Sequence, residues 1–188
     1  MESRRLRLCN ALAVMLLEEI RQLAETWTST YNPEGLSPFP FENILREKND
    51  LQILLSQDVP TNVSGGISFS QEKNMFIILI NNGKPQTRQQ FTIAHELGHY
   101  ALHQQHIRDE TFVDHENVLD SAGMLYRRDE AVSTKLEIEA NNFAASLIMP
   151  ESLVRKGWET LNSVEECAEV FHVSIEAMSI RLSRLGLV

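Results

Sequence analysis

Residues 95–99 read His-Glu-Leu-Gly-His. Two histidines four apart on a helix sit about 40° apart round the axis and about 6 Å along it, so both imidazoles can converge on one ion. Zinc accepts neutral imidazole nitrogens at about 2.0–2.1 Å and is usually four-coordinate. Glu96 points about 100° away from His95, too far round to share its ligand position, and can reach a water bound to the ion instead. Two ligands and one base are the parts that metal-activated hydrolysis needs. A catalytic zinc also requires a third protein ligand and an open fourth position. His103 continues the row, but three ligands in line on one helix would span about 12 Å, too far for one ion. His103 is therefore expected to support the site or to face solvent. A carboxylate from the segment Glu137-Ile138-Glu139-Ala140-Asn141, on a second helix crossing the first, would close a His-His-Glu site.

These residues need elements to position them. Leu8, Leu12, Met15, Leu16, Ile20, Leu23 and Trp27 recur every three or four residues, the stripe of an amphipathic helix over about 2–27. The arginine-bearing start resembles a signal peptide, but Asn10, Glu18 and Glu19 interrupt the apolar run, and a helix is expected instead. Pro33, Gly35, Pro38 and Pro40 mark a connection, with a short helical turn over 41–48. Runs at 51–56, 63–70 and 75–81, rich in Ile, Val, Leu and Phe, read as a small three-stranded, antiparallel-type sheet. Gly65-Gly66 suggests a bulge or a strand end. A helix over 86–104 carries the His-Glu-Leu-Gly-His motif. Gly98 costs that helix about 1 kcal/mol, which points to close packing against a neighbour. Residues 105–132 are polar and acidic, with an irregular strand expected near 124–127. A second firm helix covers 134–148. Pro150, Ser163 and Ser174 then open three shorter helices, and Gly186 closes the last.

The expected fold class is therefore α+β: an N-terminal helix, a sheet packed on the motif helix and a second ligand helix, then a C-terminal helical tail. The expected division is 1–40 for the first helix and linker, 41–150 for the core and 151–188 for a helical extension packed into the same single domain. The length of 188 residues, with 43% hydrophobic and 23% charged, suits one globular domain. Seventeen basic against 26 acidic residues give a net charge of −9, which argues against a broad phosphate-binding surface. Cys9 and Cys167 are too few for a disulfide framework or a Cys-rich zinc module, and fit a reduced, cytoplasmic setting. No stretch approaches the roughly 20 apolar residues of a membrane span.

The stretch Phe91-Thr-Ile-Ala-His-Glu-Leu-Gly-His-Tyr-Ala-Leu-His103 resembles the active-site helix of ImmA/IrrE-type metallo-endopeptidases. Glu137-Ile-Glu-Ala-Asn-Asn-Phe-Ala-Ala-Ser-Leu-Ile-Met-Pro150 resembles that family's second segment, and Glu137 lies 38 residues beyond His99. The resemblance covers roughly residues 40–187. It implies a bacterial or phage, cytoplasmic zinc peptidase of the gluzincin type, acting on a helix-turn-helix (Xre-like) repressor. It makes His95 and His99 ligands to Zn2+, Glu96 the catalytic glutamate and Glu137 the third ligand. Asn141, one turn on, shares the face of Glu137 and could support the site. Glu139 is the competing ligand, and Thr134-x-x-Glu137 competes as a capping box.

In such a site Glu96 takes the water's proton and returns it to the leaving amine. Candidates for a second oxyanion donor are Tyr100, His103, His115, Tyr126 and Arg88. An extended substrate could pair with an edge of the sheet at 63–81. The segment 168–184 resembles a helix-turn-helix. However, residues 163–188 carry four glutamates against two arginines, and His172 stands where the turn glycine is usual, so direct DNA binding is not expected. The second function class is a protein-binding module that keeps the zinc fold, such as one half of a toxin–antitoxin pair. Glu96 favours the enzyme, because a binding module has no physical need for it.

Overall fold

A computed structural model describes residues 2–109, 112–115 and 130–188, with side chains for 17–108 and 134–188. The chain opens with α1 (Glu2–Tyr31) and α2 (Phe41–Glu47), followed by β1 (Leu51–Ser56), β2 (Val63–Ser70) and β3 (Met75–Asn81). The motif helix α3 (Gln86–Leu102) leads into α4 (Gln104–Asp109) and β4 (Phe112–His115). Then come α5 (Glu130–Ile148), α6 (Glu151–Leu161), α7 (Val164–Phe171) and α8 (Ile175–Arg184). This is the α+β arrangement that the periodicities predict, with α1 running four residues further than expected. The irregular strand expected near 124–127 lies outside the described residues.

The sheet departs from expectation in two ways. Among the described residues it has four strands in the order β1-β3-β2-β4, and β1 runs parallel to β3 while the other pairings are antiparallel. A simple three-strand meander would have placed β1 beside β2. Here β4 takes that edge of β2, and β1 pairs with the far edge of β3. Among the described residues β3 and the 63–67 part of β2 are therefore paired on both sides, and the outer strands are β1 and β4. Gly65-Gly66 does not end its strand. Its irregularity is a register shift against β4 between Val63 and Gly65.

One face of the sheet buries Ile67, Phe76, Ile78 and Ile80 beneath α3. On its other side α3 packs against α5, and α5 in turn against α1. Trp27 of α1 joins these layers: its ring meets Phe143 edge-on at 5.3 Å and Tyr100 at 6.4 Å. The backbones of α3 and α5 approach closely at Gly98. A Cβ there would lie 2.9 Å from the Ala140 carbonyl oxygen and 3.0 Å from its Cα, so only glycine lets the backbones meet.

The C-terminal helices contribute Cys167, Phe171, Val173, Met178 and Leu182 to the same buried cluster. Ser163 and Ser174 cap α7 and α8, accepting from the Glu166 and Ala177 amides. Gly186, at φ 67°, ends α8: its own amide bonds Ser183 O and the next one bonds Leu182 O, which satisfies the last carbonyls. Among the described residues no helix is long and apolar enough to cross a membrane.

Candidate metal centre

The contact of Gly98 with Ala140 sets what faces what. Round α5 from Ala140, Glu137 lies about 60° and Asn141 about 100° to one side, while Glu139 lies about 100° to the other. The first two therefore flank one side of α3 and Glu139 the opposite side. Glu137 Oε2 lies 3.2 Å from His95 Nε2, and Oε1 lies 3.4 Å from His99 Nε2. The two Nε2 atoms are themselves 3.1 Å apart.

Those three separations test the fit of an ion directly. A tetrahedral centre with bonds of about 2.0–2.1 Å has neighbouring ligand atoms about 3.3 Å apart. The two Nε2 atoms lie near that spacing, each faces a different oxygen of Glu137, and one donor atom from each of the three residues lies within 4.8 Å of the others, a set that suits a borderline-soft divalent ion. Burial holds His99 well below the ordinary imidazole value of 6.5, at about 4, with the neighbouring His95 adding to the shift. Its nitrogen is thus a neutral donor at pH 7. For Glu137 burial acts upward, but the hydrogen bonds with His95 and His99 outweigh it and hold the carboxyl well below the usual range.

The Asn141 amide oxygen lies 3.0 Å from His95 Nδ1, where it accepts that N–H and turns Nε2 toward His99 and Glu137. Phe91 stacks on the His95 ring at 6.5 Å. Phe91 and Asn141 also wall a cavity of about 260 Å3, with Ala145, Met149, Ile180 and Arg181 among its other lining. Glu96 is buried beside His95, with 1% of its surface exposed.

Other candidates sit elsewhere. The Tyr100 hydroxyl donates to Asp50 Oδ1 at 2.7 Å. Arg88 Nε donates to Ser64 Oγ. Tyr126 and the His115 side chain lie outside the described residues. Thr134 is inside α5, four residues past Glu130, so it cannot be the N-cap that the capping reading of Glu137 requires. Glu139 is not beside His95 or His99. Its Oε2 lies 3.0 Å from Nε2 of His103, and His103 Nδ1 lies 3.1 Å from His99 Nδ1. Spacing alone hides this pairing, because His103 ends α3 as its C-cap and leaves the helical row.

Residues 49–183 match the sequence profile of the IrrE N-terminal-like domain, Peptidase_M78. The chain belongs to this family. Peptidase_M78 is a metallopeptidase family, which accounts for a chain carrying a His-His-Glu donor set. The chain is similar to Metallopeptidase ImmA of Bacillus subtilis (strain 168), with 30% identity over 125 residues. That match spans 65% of this chain and 64% of the relative, under two thirds of its length. A Mycobacterium tuberculosis transcriptional regulator of solved structure shares the fold, with a TM-score of 0.62 at 16% identity. The likeness covers 88% of this chain and 46% of that one.

Proposed function

We propose that this chain is a zinc-dependent endopeptidase that hydrolyses a peptide bond in a regulatory protein. The observation that carries this reading is the convergence of donor atoms from His95, His99 and Glu137 within 4.8 Å of one another, with Glu96 buried next to His95 in the chain. Zinc held by His95, His99 and Glu137 would lower the pKa of a bound water to about 7 and polarise the substrate carbonyl. Glu96 accepts the proton of the attacking water and delivers it to the leaving amine. The cavity walled by Phe91 and Asn141 offers space beside His95 for a substrate side chain.

For the substrate we infer a helix-turn-helix repressor, on the strength of the likeness to ImmA/IrrE-type peptidases and of family membership. The C-terminal helices are read as part of the catalytic unit and not as a DNA reader. Arg181 is buried, donating to Met149 O, and Arg184 donates to Asn142 Oδ1, so both cations of α8 are engaged within the chain. A reduced, cytoplasmic setting is the matching environment. Glu96→Gln tests the mechanism. The amide keeps the shape but cannot take the proton, so the variant should retain one zinc and its fold while cleavage of a co-expressed repressor falls at least about a hundredfold. Cleavage at the parent rate would remove Glu96 from the mechanism and favour a binding role.

A further inference from the structure

We propose that His103 and Glu139 form a positioning relay behind His99, which holds its ring and tautomer for the ion. The inference rests on the reading of His95, His99 and Glu137 as a metal site. It concerns a pair of residues which that reading does not use.

The argument is one of hydrogen placement. His99 Nε2 faces the other two donor atoms, so as a ligand it must present a lone pair there. A neutral imidazole then carries its hydrogen on Nδ1. His99 Nδ1 lies 3.1 Å from His103 Nδ1, and two nitrogens at that distance need one hydrogen between them. His99 therefore donates and His103 accepts. His103, neutral in its turn, carries its hydrogen on Nε2, and that atom lies 3.0 Å from Glu139 Oε2, an obligate acceptor. With His99 Nε2 as the ligand atom, each of the two further links takes a single assignment. The relay is buried at its inner end, where His99 and His103 are 1% and 4% exposed. It is open at its outer end, where Lys135 Nζ stands 3.6 Å from Glu139 Oε1.

The two histidine ligands are thus backed differently. An amide oxygen of Asn141 backs His95, while a second imidazole anchored by a carboxylate backs His99. The carboxylate polarises His103, which becomes a better acceptor and makes the His99 nitrogen a stronger donor to the ion. Glu139 comes from the flank of α5 opposite Glu137, so one helix supplies both a ligand and the support of another ligand.

The test is zinc affinity of the full chain, by competition with a chromophoric chelator, for the parent, His103→Ala, Glu139→Ala and the double variant. His103→Ala should weaken zinc about 10- to 100-fold and Glu139→Ala about tenfold. Because Glu139 acts through His103, the double variant should be no weaker than His103→Ala alone. His103→Gln, whose amide oxygen can still accept from His99, should recover part of the loss and serves if the alanine variant does not fold. Cobalt in place of zinc should show visible bands displaced in His103→Ala and restored toward the parent in His103→Gln. Single variants within twofold of a parent that binds zinc would overturn the relay alone, as would a full Glu139 effect without His103. A parent chain that takes up no zinc would overturn the metal-site reading and the relay with it.

Discussion

Glu137 and Glu139 are two residues apart, and their roles separate because α5 presents them on opposite flanks of its contact with α3. Glu137→Ala should cost zinc affinity more than about a hundredfold, since two imidazoles alone make a poor site. That loss exceeds the one for Glu139→Ala, and a reversed order in the same chelator competition would make Glu139 the ligand. Acidity acts on the same residues. The folded pKa of His99, about 4, lies below its ordinary 6.5, so between those values the unfolded chain binds a proton that the folded chain refuses. Stability of the metal-free protein therefore falls as pH drops from 6.5 toward 4. Glu137 acts with the same sign: its lowered pKa contributes stability above about 4.5, lost on further acidification. Urea midpoints of the metal-free chain should decline from pH 7 to pH 5. A flat profile would mean that His99 is not held buried and neutral.

At the scale of elements, the centre depends on how closely two helices approach. Gly98 weakens α3 locally, yet a methyl group there would press on the Ala140 backbone, which cannot rotate aside. Gly98→Ala gains about 1 kcal/mol of helix propensity and loses about 1–3 kcal/mol to overpacking. The more telling consequence is geometric: moving α5 outward carries Glu137 away from both histidines. The melting temperature and zinc affinity should fall together. A variant with a raised melting temperature and unchanged affinity would show that the contact is not tight. Trp27 braces the same pair of helices from outside. Its truncation to alanine should cost about 3–5 kcal/mol, read by urea unfolding, because its ring joins Tyr100 and Phe143.

For the molecule as a whole, an ion held by these donors would become part of the fold. The three donors come from helices separated by some 40 residues of chain, so zinc should bind the folded state in strong preference to the unfolded one. The purified chain should hold one zinc, and at a free concentration a thousand times Kd the ion adds about 4 kcal/mol of stability. Chelation should therefore lower the melting temperature, and readdition should restore it. Elemental analysis far below one equivalent, with no uptake from solution, would count against the site.

Local chemistry made much of this legible. The i, i+4 spacing of His95 and His99 places two imidazoles on one face wherever a helix forms, and apolar recurrence announces that helix and α5. Ser163, Ser174 and Gly186 mark helix ends because capping is settled by neighbours in the chain. The cost of Gly98 signalled a close neighbour, though not which one. Only the tertiary structure decided the rest. A strand's pattern of apolar residues does not name its partner, so the parallel pairing of β1 with β3 and the arrival of β4 came from the closure of the whole sheet. Tyr100 looked as able as any neighbour to face the reaction, and it was the fold that aimed its hydroxyl at Asp50. Glu137, Glu139 and Asn141 were all plausible about the site, and what placed Glu137 and Asn141 on the side of His95 and Glu139 on the other was the register of α5 on α3, with Gly98 against Ala140. Helical spacing is written in adjacent residues, but the register between two helices depends on side chains from both, and on every layer packed behind them.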